Sequence, residues 1–193
     1  MSPEQAMEQA LAAGVNCFQY RNKSASRRTV YETAAVLARI AREAGALFIV
    51  NDHADIAVAV DADGVHLGQD DLPIECARTL LGSTKVIGIS THSISQARAA
   101  EAAGADYIGF GPVFRTSSKD AGPTQGTRNL AAVAQAVALP VIAIGGINEA
   151  NVQFVIEAGA VGAAVISVVL TSPDIRQTAE RMVRTIRDIR RKR

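Results

Sequence analysis

Net charge is nearly absent from this chain: 20 lysines and arginines face 19 aspartates and glutamates in 193 residues. Without a field of one sign, nothing global draws in nucleic acid or an acidic membrane surface, so only local cationic sites remain to be found. Cysteine is scarce as well. Cys17 and Cys76 sit in apolar surroundings with no CxxC spacing, which leaves no disulfide framework or thiolate metal knuckle to build on. Met1 is not followed by a basic n-region and an apolar h-region, so the cytoplasm is the expected compartment. No uninterrupted apolar run reaches the roughly 18 residues that suggest a membrane span. The long run Val161 to Leu170 is broken by Gly162 and Ser167 and reads as a buried strand running into a loop.

What is present is enough apolar material, 48% of the chain, for one domain over residues 1–193 with a real core. Helix and strand signals alternate throughout. Ser2 and Pro3 open a helix to Ala13 that Gly14 ends, followed by a strand from Val15 to Tyr20. The pattern then predicts helix Ser26–Ala44, strand Ala46–Val50, a small helix, strand Val65–Leu67, helix Pro73–Leu81, strand Val86–Ile89, helix Ser93–Ala103 and strand Tyr107–Phe110. After a long loop, Gly111 to Gly126, come helix Asn129–Val137, strand Val141–Ile144, helix Glu149–Ala158, strand Ala163–Ile166 and a last helix from Pro173 to about Arg190. Apolar strands alternating with helices imply a parallel sheet with helices on its faces. Polar residues follow nearly every strand, which favours an α/β TIM (β/α)8 barrel over an open sheet with one crevice. The chain begins on a helix, so the barrel lacks its first strand. Either a strand lies upstream of Met1, or seven strands close with a gap that costs stability.

The stretch Ile49 to Asp71, IVNDHADIAVAVDADGVHLGQDD, organises the rest. Two strands joined by a helix must run parallel, so Asn51, Asp52, Gln69, Asp70 and Asp71 emerge at one end of the sheet. Asp52 and Asp71 suit a hard divalent cation, magnesium taking one or two carboxylates plus substrate phosphates. The plainer reading is that such residues cap the following helices; their clustering favours metal. On the first strand, Gln19, Arg21 and Lys23 alternate and so project to one side. A guanidinium fork beside an ammonium fits a pyrophosphate better than a single carboxylate, against the alternative of a solvated basic turn. Ser90 can serve a ligand or cap the next helix. Thr116, Ser117, Ser118 and Lys119, in the long loop, have the composition to hydrogen-bond anionic oxygens. Gly145 and Gly146 let backbone N–H groups approach a phosphate, and Ser167 follows the next strand, where barrels commonly build a phosphate site.

Other features are set aside. Asp61 to Gly64 resembles a fragment of a calcium loop, but the rest of that pattern is absent. His66 reads as a hydrogen-bonded core residue rather than a ligand. The cations Arg190 to Arg193 complement a helix C-terminus and read as solvated.

Taken together, QYRNK at Gln19–Lys23, ND at Asn51–Asp52, DGVHLGQDD at Asp63–Asp71, IGIS at Ile87–Ser90, DYIGFGPVFRTSSK at Asp106–Lys119 and AIGGI at Ala143–Ile147 resemble the thiamine phosphate synthase family over nearly the whole chain. The resemblance implies a cytoplasmic barrel transferase that joins a hydroxymethylpyrimidine diphosphate to a thiazole phosphate and releases pyrophosphate. Its partners would be two small phosphorylated substrates, not nucleic acid or membrane; homo-oligomerisation is compatible. By motif, Gln19, Tyr20, Arg21, Asn22, Lys23, Asn51, Ser90 and Lys119 would hold the pyrimidine diphosphate, with Arg21 and Lys119 acting catalytically. Asp52 and Asp71 would bind Mg2+. Thr116, Ser117, Ser118, Gly146, Ile166 and Ser167 would hold the thiazole phosphate. A related thiazole tautomerase shares the fold but typically has histidine where Pro112 stands and looks to lack the two carboxylates. A noncatalytic binder of thiamine precursors is the third reading.

Overall fold

The computed structural model describes residues 1–116 and 122–192. Helix α1 (Pro3–Ala12) starts at a reciprocal cap, Ser2 and Gln5 each satisfying the other's backbone N–H. Helix α2 (Arg27–Glu43) is capped by Ser26 and buries Val30, Ala34, Leu37, Ala38 and Ala41, one stripe at helical spacing. The remaining helices are α3 (Ala54–Ala59), α4 (Ile74–Leu81), α5 (Ile94–Ala102), α6 (Gly126–Ala136), α7 (Val152–Glu157), α8 (Ser167–Leu170) and α9 (Ile175–Arg190).

Between them run β1 (Cys17–Tyr20), β2 (Leu47–Asn51), β3 (Gly64–Leu67), β4 (Val86–Thr91), β5 (Tyr107–Phe110), β6 (Val141–Ile144) and β7 (Gly162–Ala164). All six pairings are parallel and sequential. The face under the helices is the core: Phe48, Val50, Val65, Leu67, Ile87, Ile108, Phe110 and Val141 are all essentially inaccessible. The opposite face carries Gln19, Asn51, His66, Ser90 and Tyr107, interleaved with Gly64, Gly88, Gly109 and Gly162. A barrel interior is ordinarily filled by layers of branched aliphatics; this one is polar and glycine-rich.

The sheet curls. His66 on β3 and Tyr107 on β5 meet side chain to side chain in the interior at 2.9 Å, over Gly88 of the strand between them. The result is a (β/α) barrel short of one strand: among the described residues β7 and β1 do not pair. The helix ring nonetheless closes, because α9 packs on α1 and α7 and Arg187 donates to the Gly14 carbonyl at 3.4 Å.

Three expected boundaries shift. The Val161–Leu170 run is not one buried strand running into a loop; β7 stops at Ala164, and Ser167–Leu170 forms a turn of helix with no buried residue. Helix α7 starts at Val152 rather than Glu149, because Asn148 and Asn151 turn their side-chain oxygens onto the N–H groups of Ala150 and Asn148 and hold a turn there. Helix α6 starts at Gly126 rather than Asn129, behind two backbone bonds that tie Gln125 and Gly126 to the carbonyls of Pro112 and Val113.

Candidate active site

The C-terminal ends of β1 to β3 bring a cationic and an anionic pair into one corner. Asp52, just past β2, holds φ at 64°, a left-handed conformation uncommon for a residue with a Cβ, and its N–H is fixed to the His66 carbonyl at 2.8 Å. Lys23 Nζ stands 3.7 Å from Asp52 Oδ2. Burial pushes the Asp52 pKa up, and the neighbouring Asp71 adds to the shift through a side-chain hydrogen bond and its charge; Lys23 and Arg21 oppose it. Asp71 is in turn oriented by the Gly68 N–H, 2.6 Å from its Oδ2. Two crowded, half-buried carboxylates suit a divalent cation, which would relieve the repulsion between them. No cluster of three or more candidate metal ligands occurs among the described residues, so a magnesium ion here would draw its remaining ligands from water and substrate.

The other residues of the first motif divide by face. Gln19 lies on the interior side, whereas Tyr20 packs against the helix-side core. Asn22 spends its side-chain oxygen on the N–H groups of Ser24 and Ala25 and on the Ser24 hydroxyl, shaping the turn that carries Arg21 and Lys23. Asn51, 8% exposed, faces the interior one strand from His66.

Below the rim, His66 bridges two hydroxyls: Nδ1 lies 2.9 Å from Tyr107 Oη and Nε2 lies 2.9 Å from Ser90 Oγ. Burial lowers the His66 pKa to about 4, the Asp71 charge opposing it, and burial raises that of Tyr107. Gln69 donates to the Ser90 carbonyl at 2.7 Å. The sequence reading took His66 for a hydrogen-bonded core residue and missed Tyr107. The available signal was glycine at positions 88 and 109: a Cβ on Gly88 would lie 2.0 Å from the Tyr107 ring and one on Gly109 3.1 Å from the His66 ring.

On the far side, Gly145 (φ 95°) and Gly146 (φ 64°) make a turn after β6 that only glycine tolerates easily. The Ile144 and Gly145 carbonyls accept from Val113 and Phe114 at 2.9 and 3.0 Å. Because C=O and N–H point opposite ways across a trans peptide, the Gly145 and Gly146 N–H groups turn away from that loop. Ile166, 55% exposed, and Ser167 lead into α8. Thr116 ends the described part of the β5 loop; Ser117, Ser118 and Lys119 lie outside the described residues.

Three comparisons bear on this arrangement. The sequence pattern of a family described as thiamine monophosphate synthase matches residues 2–169. A thiamine-phosphate synthase of Halalkalibacterium halodurans is 47% identical over 175 residues, 90% of this chain and 83% of that protein. One from Chlorobium phaeovibrioides is 49% identical, covering 93% of this chain and 87% of its own. The solved thiamine phosphate pyrophosphorylase from Pyrococcus furiosus superposes with a TM-score of 0.90 at 39% identity, covering 97% of this chain and 91% of that one.

Proposed function

The chain belongs to the thiamine monophosphate synthase family, and we propose that its rim divides the work of that activity between two anionic sites on one (β/α) barrel unit. The enzyme is a transferase acting on small phosphorylated substrates, a thiamine-phosphate synthase that condenses an aminopyrimidine methyl diphosphate with a thiazole phosphate. In the proposal, Gln19, Asn51 and Ser90 hold the pyrimidine end, with Arg21 and Lys23 on its diphosphate. Tyr20 and Asn22 contribute by shaping the strand end and its turn. Thr116, Gly146, Ile166 and Ser167 hold the thiazole phosphate, joined by Ser117 and Ser118; Lys119 reaches the departing diphosphate.

The reaction needs no side-chain nucleophile. The bond between the methylene carbon and the diphosphate oxygen breaks, its electron pair leaving with pyrophosphate, and the thiazole nitrogen forms the new bond to that carbon. Arg21, Lys23 and Lys119 stabilise charge that accumulates on the leaving group. The phosphate-holding turn after β6 positions the attacking ring so that nitrogen arrives before water. Magnesium, held by Asp52 and Asp71, would neutralise further diphosphate charge.

The single observation that carries this reading is the corner where Lys23 meets Asp52, with Asp71 alongside. Purified protein given both substrates and magnesium should release pyrophosphate in step with thiamine phosphate. Asp52→Asn and Asp71→Asn should each cut turnover on the order of 100-fold and weaken its magnesium dependence without unfolding the protein. No pyrophosphate from wild type would sink the assignment. An unchanged magnesium titration in both variants would remove the metal from it.

A further inference from the structure

Between β5 and the turn after β6 the chain changes partners, and one side chain holds it at the point of change. The Gly111 N–H still continues the pairing of β4 with β5, donating to the Thr91 carbonyl at 3.4 Å, whereas the Val113 and Phe114 N–H groups already donate to the Ile144 and Gly145 carbonyls. The Gly111 carbonyl lies between these two sets of bonds and accepts from His92 Nδ1 at 2.6 Å. A carbonyl can only accept, so the proton of this bond sits on Nδ1. The His92 main chain is fixed as well: its N–H donates to Gln96 Oε1 at 2.7 Å, and Ser93 caps α5 directly after it. Gly111 is buried, so losing the donor leaves its carbonyl short of a partner.

The contacts beyond Gly111 are close enough to pass a displacement on. A Cβ on Gly111 would lie 2.1 Å from the Ile144 carbonyl oxygen and one on Gly145 2.5 Å from Pro112 Cβ, so the two backbones touch with no room for a side chain between them. The Ile144 and Gly145 carbonyls belong to the same peptide units as the Gly145 and Gly146 N–H groups. Where Val113 and Phe114 hold those carbonyls therefore decides where the N–H groups aim. We propose that His92 is a positioning residue for the phosphate of the attacking substrate: by holding the Gly111 carbonyl it sets Val113 and Phe114, and through them the Gly145 and Gly146 N–H groups. The proposal rests on the reading of the turn after β6 as the thiazole phosphate site. It ties that site to the end of β4, the strand that carries Ser90.

Imidazole nitrogen-15 shifts in wild-type protein, with three histidines to assign, should show the neutral His92 ring protonated on Nδ1; a proton on Nε2 alone overturns the proposal. Kinetics test the consequence. His92→Phe keeps a ring and loses the donor. It should raise KM for thiazole phosphate about 10-fold, the scale of one hydrogen bond lost, and leave KM for the pyrimidine diphosphate and kcat within about twofold of wild type. His92→Asn places an amide N–H near the Nδ1 position and should keep KM for thiazole phosphate within about threefold. A His92→Phe protein with a lowered melting temperature and an unchanged KM for thiazole phosphate would make His92 a structural residue only and refute the proposal. Calorimetric binding of thiazole phosphate separates this from the assigned reaction. A wild type that binds it about 10-fold more tightly than His92→Phe does, yet releases no pyrophosphate, keeps the proposal and overturns the reaction. Normal turnover with equal affinities in the two proteins does the reverse.

Discussion

At the scale of single residues, the interior is where pH should be felt. His66 is held at about 4 against an ordinary 6.5, so between those values the unfolded chain binds a proton that the native chain does not. Stability therefore falls as pH drops from about 6.5 to about 4, by up to about 3 kcal/mol from this group. Asp52 acts in the opposite sense: its pKa is raised, so the native state binds its proton more readily, and the stability this contributes at low pH is lost as pH rises above the ordinary carboxylate range. Comparing wild type with His66→Gln at matched pH cancels the Asp52 contribution. Urea unfolding midpoints should then show wild type losing stability on acidification more steeply than the variant. Parallel curves would mean that His66 is as protonated in the fold as outside it.

At the scale of elements, what was legible depended on whether the deciding interactions were local. Capping residues, glycines after helices and unbroken apolar strands lie within a few positions of what they determine, and α1, α2 and all seven strands were readable for that reason. The two-carboxylate corner was readable too, since parallel neighbouring strands force Asp52 and Asp71 to one rim. Tyr107 was not, because its partner His66 lies two strands away and it looks like the first residue of an ordinary apolar run. Helix α8 was missed because a four-residue turn leaves no periodicity to find. The turn after β6 is tightly specified. A Cβ on Gly146 would lie 2.4 Å from the Arg115 carbonyl oxygen, with φ already at 64°. Gly146→Ala should lower stability by about 1–3 kcal/mol and raise KM for the thiazole phosphate, while KM for the pyrimidine diphosphate changes little. A melting temperature and a thiazole phosphate KM both equal to wild type would show that the turn is neither tight nor part of that site.

At the scale of the whole molecule, the ring of helices closes but, among the described residues, the ring of strands does not, and the two proposed sites fall on opposite sides of this asymmetry. Strands β3, β4 and β5 each pair on both sides, and Val65, Ile87 and Ile108 at their centres are inaccessible to solvent. Among the described residues, strand β1 pairs only with β2 and β7 only with β6; β7 has three residues, none fully buried, and α8 beyond it buries nothing. A strand bonded on one edge opens without disturbing the rest, so local opening should cost least at the two ends of the sheet. Amide hydrogen exchange should therefore be fastest in Gly162–Ala164, intermediate in Cys17–Tyr20 and slowest in Val65–Leu67, Ile87–Ile89 and Ile108–Phe110. Thiazole phosphate should slow exchange around β7 and Ser167, because a ligand bound only when that end is folded raises the cost of opening it. Its effect on β3 should be small, since β3 already opens only with the global transition. If β7 in the free protein is as protected as β4, its outer edge has a bonding partner beyond β6 and the open-sheet account fails.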